Sequence, residues 1–456
     1  MLLLCPVVAL VIILLTPDRN HRTIRWVSLI FSALTIVLSI IIYVTYDQAK
    51  AGLQRMESVG WVPAADGGAV RYIITYLNAV DGINAPLLLL TSIVMFCGVL
   101  STWELEHRTK EFFALFMFLV TGVFGVFMTF DLFFFCLFYE VAVLPMYLLI
   151  AIWGSTNKEY ASLKLVIYLL AGSAIMLVGV FALFYYSDVH SFSLIELSKA
   201  HFSRQFQLAV FPLLAVGCGV LAAMWPFHTW SPDGHVAAPT AVSMLHAGVL
   251  MKLGAYGILR IAIWILPEGA VFWAPILGTL ALVNIVYGAL VAIMQKDLKY
   301  MIGYSSVSHM GIVVFGLFTL NQNGLNGAVF QMFSHGIMTA LLFSSVGFIY
   351  DMTHTRNVDE LGGLAKKIPL ASSFFIIAGL CGLGLPLLSG FPAELLVYVG
   401  AYQAQAFPLA HISLYFWVAV AGLVLTAVGA ATWPSGDHVW NGNRPAKMPK
   451  PIMNIG

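Results

Sequence analysis

The sequence predicts an all-α polytopic membrane protein of about 13 transmembrane helices. Three observations lead there. Of 456 residues, 60% are hydrophobic and only 9% charged, against about 25% charge in soluble domains. Apolar runs long enough to cross a ~30 Å hydrocarbon core recur along the whole chain. Finally, the few charges inside those runs are single and widely spaced. A net charge of +1 without a long basic run gives no indication of nucleic-acid binding. The five cysteines, Cys5, Cys97, Cys136, Cys218 and Cys381, have no CxxC or Cys/His spacing. They read as small packing residues rather than a disulfide or metal set.

Taken in order, the spans fall near 1–16, 26–46, 86–103, 112–130, 132–153, 163–185, 207–229, 241–265, 271–294, 305–320, 327–350, 370–388 continuing to 402, and 410–433. The first run lacks a basic leader and a cleavage site and reads as a retained span rather than a signal peptide. Residues 47–85 are polar and rich in glycine and aromatics, and read as a long external loop. Ser191 to His201 reads as a short amphipathic helix lying at the interface. Placing Arg19, Arg22 and Arg25 inside puts 14 of the 22 lysines and arginines inside and five outside. The bias predicts an N-terminus outside and a C-terminus inside.

Charges within the spans are the candidate functional groups. Glu140 lies inside LFFFCLFYEVAVLPMYLLI and Glu394 inside LSGFPAELLVYVGAY. An ionised group near the bilayer centre costs at least ~2.5 kcal/mol, so such residues usually face a bundle interior or a water path. A protonated carboxyl hydrogen-bonded in the core is the competing reading. Lys252 lies about eleven residues into its span, too deep for snorkelling. A buried lysine titrates readily and suits a proton relay, or serves as a fixed counter-ion. His246 and His335 are further relay candidates, with packed polar residues as the alternative. Arg260 and Lys164 lie near helix ends and read as interfacial anchors.

Two spans look broken: the seventh at AAMWPFHTWSPDGH and the twelfth at CGLGLPLLSGFPAE. Interrupted helices are tolerated in membranes where the freed backbone lines a wet cavity. Their separation by five spans suggests inverted repeats, at helices four to eight (111–265) and nine to thirteen (266–433). Residues 1–110 then hold the first three helices and the external loop, and 434–456 a polar tail.

PFHTWSPDGHVAAPTAV followed by AGVLMKLGAYGILR resembles the antiporter-like subunits of respiratory complex I, a family that also includes Mrp-type cation/proton antiporters and membrane-bound hydrogenase subunits. QKDLKYMIGYSSVSHMG and YDMTHTRNVDELGGLAKKIP resemble its M-type member (NADH dehydrogenase subunit 4). The likeness runs from about Asp81 to about Gly400. It implies two inverted five-helix repeats joined by a hydrophilic axis. On that axis Glu140 matches the family's fifth-helix glutamate, Lys252 its eighth-helix lysine, and Glu394 the twelfth-helix glutamate of M-type subunits. His246, His335 and Lys299 are further candidate groups on the implied proton path. Pro226, His228 and His235 belong to the family motif at the broken helix.

The departures are local. The family's seventh-helix lysine position is Leu221, a proline position is Ala223, and the glutamate of the following loop is Ala237. Ser231 stands for a customary leucine. Glu140 therefore lacks its usual lysine partner, which leaves the first half-channel altered or silent. The stretch after Trp433 is polar and proline-rich where the family usually supplies a fourteenth span, and is expected to be an extended cytoplasmic tail.

The implied function is proton translocation in the membrane arm of a complex I-like donor:quinone oxidoreductase. Other membrane-arm subunits (L- and N-type) would be partners, in a bacterial inner or equivalent energy-transducing membrane. The chain has no nucleotide, flavin or iron–sulfur motif, so no cofactor is expected. An Mrp-type or hydrogenase-linked antiporter subunit is the alternative, as is a non-pumping scaffold or vectorial module with a silent first half.

Overall fold

The structure is a computed structural model and describes residues 1–50, 52–63 and 72–404. The expected thirteenth span and the polar tail lie outside the described residues. Ten helices among the described residues are long and apolar enough to cross a membrane. The chain is a polytopic helical membrane protein, as its composition requires.

Two peripheral helices, α1 (Leu4–Leu15) and α2 (His21–Val44), lead into a β-hairpin, β1 (Gln54–Pro63) and β2 (Tyr72–Val80). Then come α3 (Asn84–Ser101), α4 (Thr109–Met128), α5 (Leu132–Trp153) and α6 (Lys158–Tyr186). A single turn, α7 (Leu194–Leu197), precedes α8 (Arg204–Leu221) and α9 (Trp230–Ala237), the two halves of the seventh span. The eighth span consists of α10 (Thr240–Leu245), a π segment (His246–Leu250), α11 (Met251–Gly257) and a second π segment (Ile258–Ile263). After α12 (Pro267–Ile293), α13 (Leu298–Phe318) and α14 (Gln322–Thr353) comes the short α15 (Leu364–Lys367). The twelfth span is again two halves, α16 (Pro369–Gly382) and α17 (Gly390–Gln403).

The breaks expected in the seventh and twelfth spans are both present. Ala223, just past α8, takes φ 55° and Gly384, just past α16, takes φ 61°. Those left-handed residues turn the chain out of the helix. Proline holds φ near −65°, so the proline of the family motif does not fit at Ala223 with this backbone.

Burial sorts the helices. Only about a fifth of α2's apolar window is buried, whereas that of Thr240–Ile263 is buried throughout. A helix apolar on every side belongs in the centre, and here the centre carries Lys252. Gly254 makes the close approach possible: a side chain there would meet the backbone of Leu221 and Ala222 at the end of α8.

Two local expectations are corrected. Residues 47–85, expected as a long external loop, contain a hairpin with Val59 opposite Tyr76. Ser191–His201 holds only the one turn of α7, and Phe192, Leu194 and Leu197 are buried in protein rather than laid on the bilayer. Asp131 explains both. It caps α5 by accepting from the Phe133 and Phe134 amides (2.9 and 3.2 Å), and its other oxygen accepts from the Thr75 amide of β2 (3.1 Å). The Phe192 amide donates to Ile73, and the Phe130 amide to Leu77. One fully buried carboxyl thus ties hairpin and helix together, and backbone hydrogen bonds on either side of it add the α7 loop.

Burial raises the Asp131 carboxyl to about 6, against the lowering effect of three backbone N–H donors. The folded state then binds the Asp131 proton more tightly than the unfolded chain does. That contribution is complete below the ordinary value of 3.8 and lost as pH rises through about 6. Thermal unfolding in detergent will show the melting temperature of the wild type, relative to Asp131→Asn, rising as pH falls from 7 to 4. A difference that does not vary with pH would contradict this account.

Candidate functional site

Lys252 sits in α11 with no exposed surface. Its ammonium donates back to the Ala247 carbonyl, inside the π segment that precedes it. Widened π turns recur at functional sites, and this one gives the central lysine a backbone acceptor. The second partner comes from α14: Lys252 Nζ lies 2.6 Å from His335 Nδ1. A hydrogen bond between these atoms needs one donor and one acceptor, so the ammonium donates to a His335 Nδ1 that carries no hydrogen.

The line continues from His335. Its ring centroid is 5.3 Å from that of His309 on α13. His309 Nδ1 approaches Glu394 Oε1 at 3.4 Å, and Gln331 Nε2 reaches both, at 3.3 and 3.4 Å. Glu394 is the fifth residue of α17, and its other carboxyl oxygen rests against Gly384, where a side chain would collide with it. Four elements therefore contribute to one buried row, Lys252–His335–His309–Glu394.

On the other side of Lys252, His246 opens the π segment and stacks on His235 of α9, centroids 3.9 Å apart, with Trp230 on its second face. Gly234 allows this contact, since a Cβ there would meet His246 at 2.9 Å. Lys299, buried at the start of α13, donates to the Ala238 carbonyl just past α9 (2.7 Å). Both ring nitrogens of His228, His235 and His246, and Nε2 of His309 and His335, are buried without a protein partner among the described residues. Buried polar groups are nearly always satisfied, and water is the usual partner where protein supplies none.

Of the expected site residues, Lys252, His335 and Glu394 are thus brought together, with His246 and Lys299 further along the same row. His228 packs edge-on against Tyr287 (5.1 Å), and Pro226 lies exposed in the break. Glu140 is not part of it. It is partly exposed on the stripe of α5 that carries Leu137, Leu144 and Leu148, which are 43%, 50% and 39% exposed. It has no hydrogen-bond or ion-pair partner among the described residues. Leu221 is fully buried at the end of α8, and Ala237 is buried at the end of α9.

Sequence reasoning missed three things. His309 is a row member, and its only sequence mark was a histidine ten residues past Lys299. Arg260 is no interfacial anchor: it is buried, ion-paired with Asp81, and enclosed by Phe130, Tyr256 and Trp264 at 5.2–5.6 Å. Lys164 likewise binds Asp233 of α9 at 2.8 Å rather than reaching for the headgroups. The window around Asp233, WSPDGH, looks like a loop in sequence, which hid a carboxylate held within the bundle.

A bundle with two broken helices and a buried lysine–histidine–glutamate row defines the class, and comparison with known proteins agrees. Residues 129–420 match the family "NADH:quinone oxidoreductase/Mrp antiporter, TM", and the chain belongs to it. Within that family the similarity is to chain 4 of NAD(P)H-quinone oxidoreductase. The chain 4-2 protein of Synechocystis sp. is 35% identical over 424 residues, covering 93% of this chain and 75% of the relative. A chain 4 protein of Synechococcus elongatus is 37% identical over 426 residues, covering 93% and 78%. Among solved structures, a chain of respiratory complex I from Thermus thermophilus superposes with a TM-score of 0.84 at 26% identity, covering 95% of this chain and 88% of that one. A chain of the Mrp complex from Dietzia sp. shares the fold (TM-score 0.82, 22% identity, covering 98% and 80%).

The geometry makes a stability prediction. His335→Leu leaves the Lys252 ammonium buried with one carbonyl acceptor, which should cost about 1–3 kcal/mol or more. The double variant His335→Leu/Lys252→Met removes both partners and should regain stability relative to His335→Leu alone. Melting temperatures in detergent will measure this; a double variant no more stable than the single one would refute it.

Proposed function

We propose that the chain is a proton-translocating membrane-arm subunit of a complex I-like donor:quinone oxidoreductase, and that its protons travel the row from Lys299 to Glu394. The observation that carries this reading is the continuity of the row through Lys252. A lone ammonium at that depth costs several kcal/mol. Here it has a hydrogen-bond partner in His335 and a line of polar side chains onward to a carboxylate. The unpartnered ring nitrogens suit intervening water, and a proton moving from Nζ to Nδ1 leaves each group with a partner.

The division into inverted repeats at 111–265 and 266–433 fits the two broken spans, which run in opposite directions. An N-terminus outside and a C-terminus inside, an energy-transducing bacterial membrane, and L- and N-type neighbours complete the reading. Electron transfer would take place on other subunits, and protein conformation and hydration would couple it to this row.

A second reading, in which the first half-channel is silent, has its own support. Leu221 is an apolar residue sealed in protein, Ala223 has a backbone that excludes the usual proline, and Glu140 faces outward without a basic partner among the described residues. A carboxylate on an outward stripe needs a neighbouring subunit or a proton to cover it. We therefore assign translocation to the row and not to Glu140.

Proton uptake per electron, measured in inverted vesicles with the assembled complex, tests both readings. Lys252→Met, His309→Leu and Glu394→Gln should each lower the ratio by about tenfold or more, while Glu140→Gln should leave it unchanged. Unchanged pumping in Lys252→Met would end the main reading; a fall in Glu140→Gln would end the silent-half reading.

A further inference from the structure

The pair Lys164–Asp233 stands outside the row described above and is built like one end of it. Asp233 lies twelve residues past the end of α8 at Leu221, and Glu394 lies twelve residues past the end of α16 at Gly382. Each is in the first turn or so of the second half-helix, with a proline one or two residues before it (Pro232 and Pro392). Each is held by two side chains from neighbouring helices. Glu394 contacts Gln331 of α14 and His309 of α13. Asp233 contacts Lys164 of α6 (2.8 Å) and accepts from the Tyr300 hydroxyl of α13 (3.2 Å). In inverted repeats, α6 and α14 are corresponding elements, so the two carboxylates occupy corresponding places in opposite leaflets.

The depth fits a group that exchanges with one side. Lys164 is the seventh residue of α6, about 9 Å from the helix start at 1.5 Å per residue. The side chains of Lys164 and Asp233 are 18% and 24% exposed, more open than Glu394 at 4%. The Lys164 ammonium is committed to Asp233, and a partly buried ion pair is by itself weak evidence for stability. What lies behind it is specific. Gly234 follows Asp233, and its missing side chain is the space shared by Leu165, beside Lys164, and the ring of His246. His235 comes next, on the side of α9 that stacks on His246. The short helix α9 thus carries a carboxylate toward α6 and a histidine toward the row, at its thinnest point.

We propose that Asp233 is the proton-loading carboxylate of this subunit, the first repeat's counterpart of Glu394, and that Lys164 is its switching partner. This rests on the translocation reading above. Asp233 takes a proton from the inner side, which neutralises the carboxylate and releases Lys164. The proton then leaves through water to a ring nitrogen of His235 and onward to His246 and Lys252, and the ion pair with Lys164 re-forms. The proton given up at Glu394 on the outer side balances the one taken in, and no other reactant is needed.

The test uses the assembled complex in inverted vesicles, with proton uptake per electron and quinone reduction both recorded. Asp233→Asn should lower uptake per electron by about tenfold or more, and Asp233→Glu should restore most of it. The exchanged pair Lys164→Asp/Asp233→Lys keeps the ion pair but moves the carboxylate to α6. A structural role predicts recovery in this variant; the loading role predicts normal assembly with uptake still low. Recovery in the exchanged pair, or normal uptake in Asp233→Asn, would overturn the proposal. Lys252→Met serves as the reference: if it pumps normally too, the translocation reading has failed, whereas a defect in Lys252→Met alone removes only the role of Asp233.

Discussion

The structure depends on one arrangement: an ammonium with no exposed surface, held inside the bundle with a carbonyl and an imidazole as partners. Lys252 has no exposed surface, and its helix is buried along its whole apolar window. An unpaired charge there would cost more than most single interactions return. The surrounding elements are shaped to avoid that cost. The π segment turns the Ala247 carbonyl toward Lys252, α14 supplies His335, and Gly254 lets α11 press against the end of α8.

The broken helices follow from the same constraint. A continuous helix satisfies all of its backbone groups and offers nothing to a polar path. Ending α8 at Leu221 and α16 at Gly382 lets α9 and α17 present Asp233, His235 and Glu394 toward neighbouring helices. The positive φ of Ala223 and Gly384 marks the points where each helix is abandoned. At the start of α5, Asp131 does for the hairpin what Lys252 does for the centre: one buried polar group serves three backbone donors and joins β2 to the helix.

Much of this was legible in the sequence, because lipid makes polar residues conspicuous. Lys252, Glu394, His246 and His335 stood out as charges or rings in apolar runs, and the glycine–proline clusters marked both breaks. Asp233, Lys164 and Arg260 did not, since each lies near a helix end where a loop or an anchor is the ordinary explanation. His309 lacked any contrast with its serine- and glycine-containing surroundings. Glu140 stood out as well, but depth in a span does not say which way a side chain faces, and α5 turns that face away from the row.

By itself the sequence determined the class of solvent, the spans among the described residues, the sites of the breaks and the family, because each of these is a one-dimensional property of hydropathy, spacing or motif. Only the tertiary structure decided which polar groups form one row and which stand apart. Lys252 and His335 are 83 residues apart in the chain and 2.6 Å apart in space, while Glu140, though equally deep in its own span, has no partner among the described residues. That difference is set by helix rotation and packing, through glycines that let backbones approach, and no single helix carries that information.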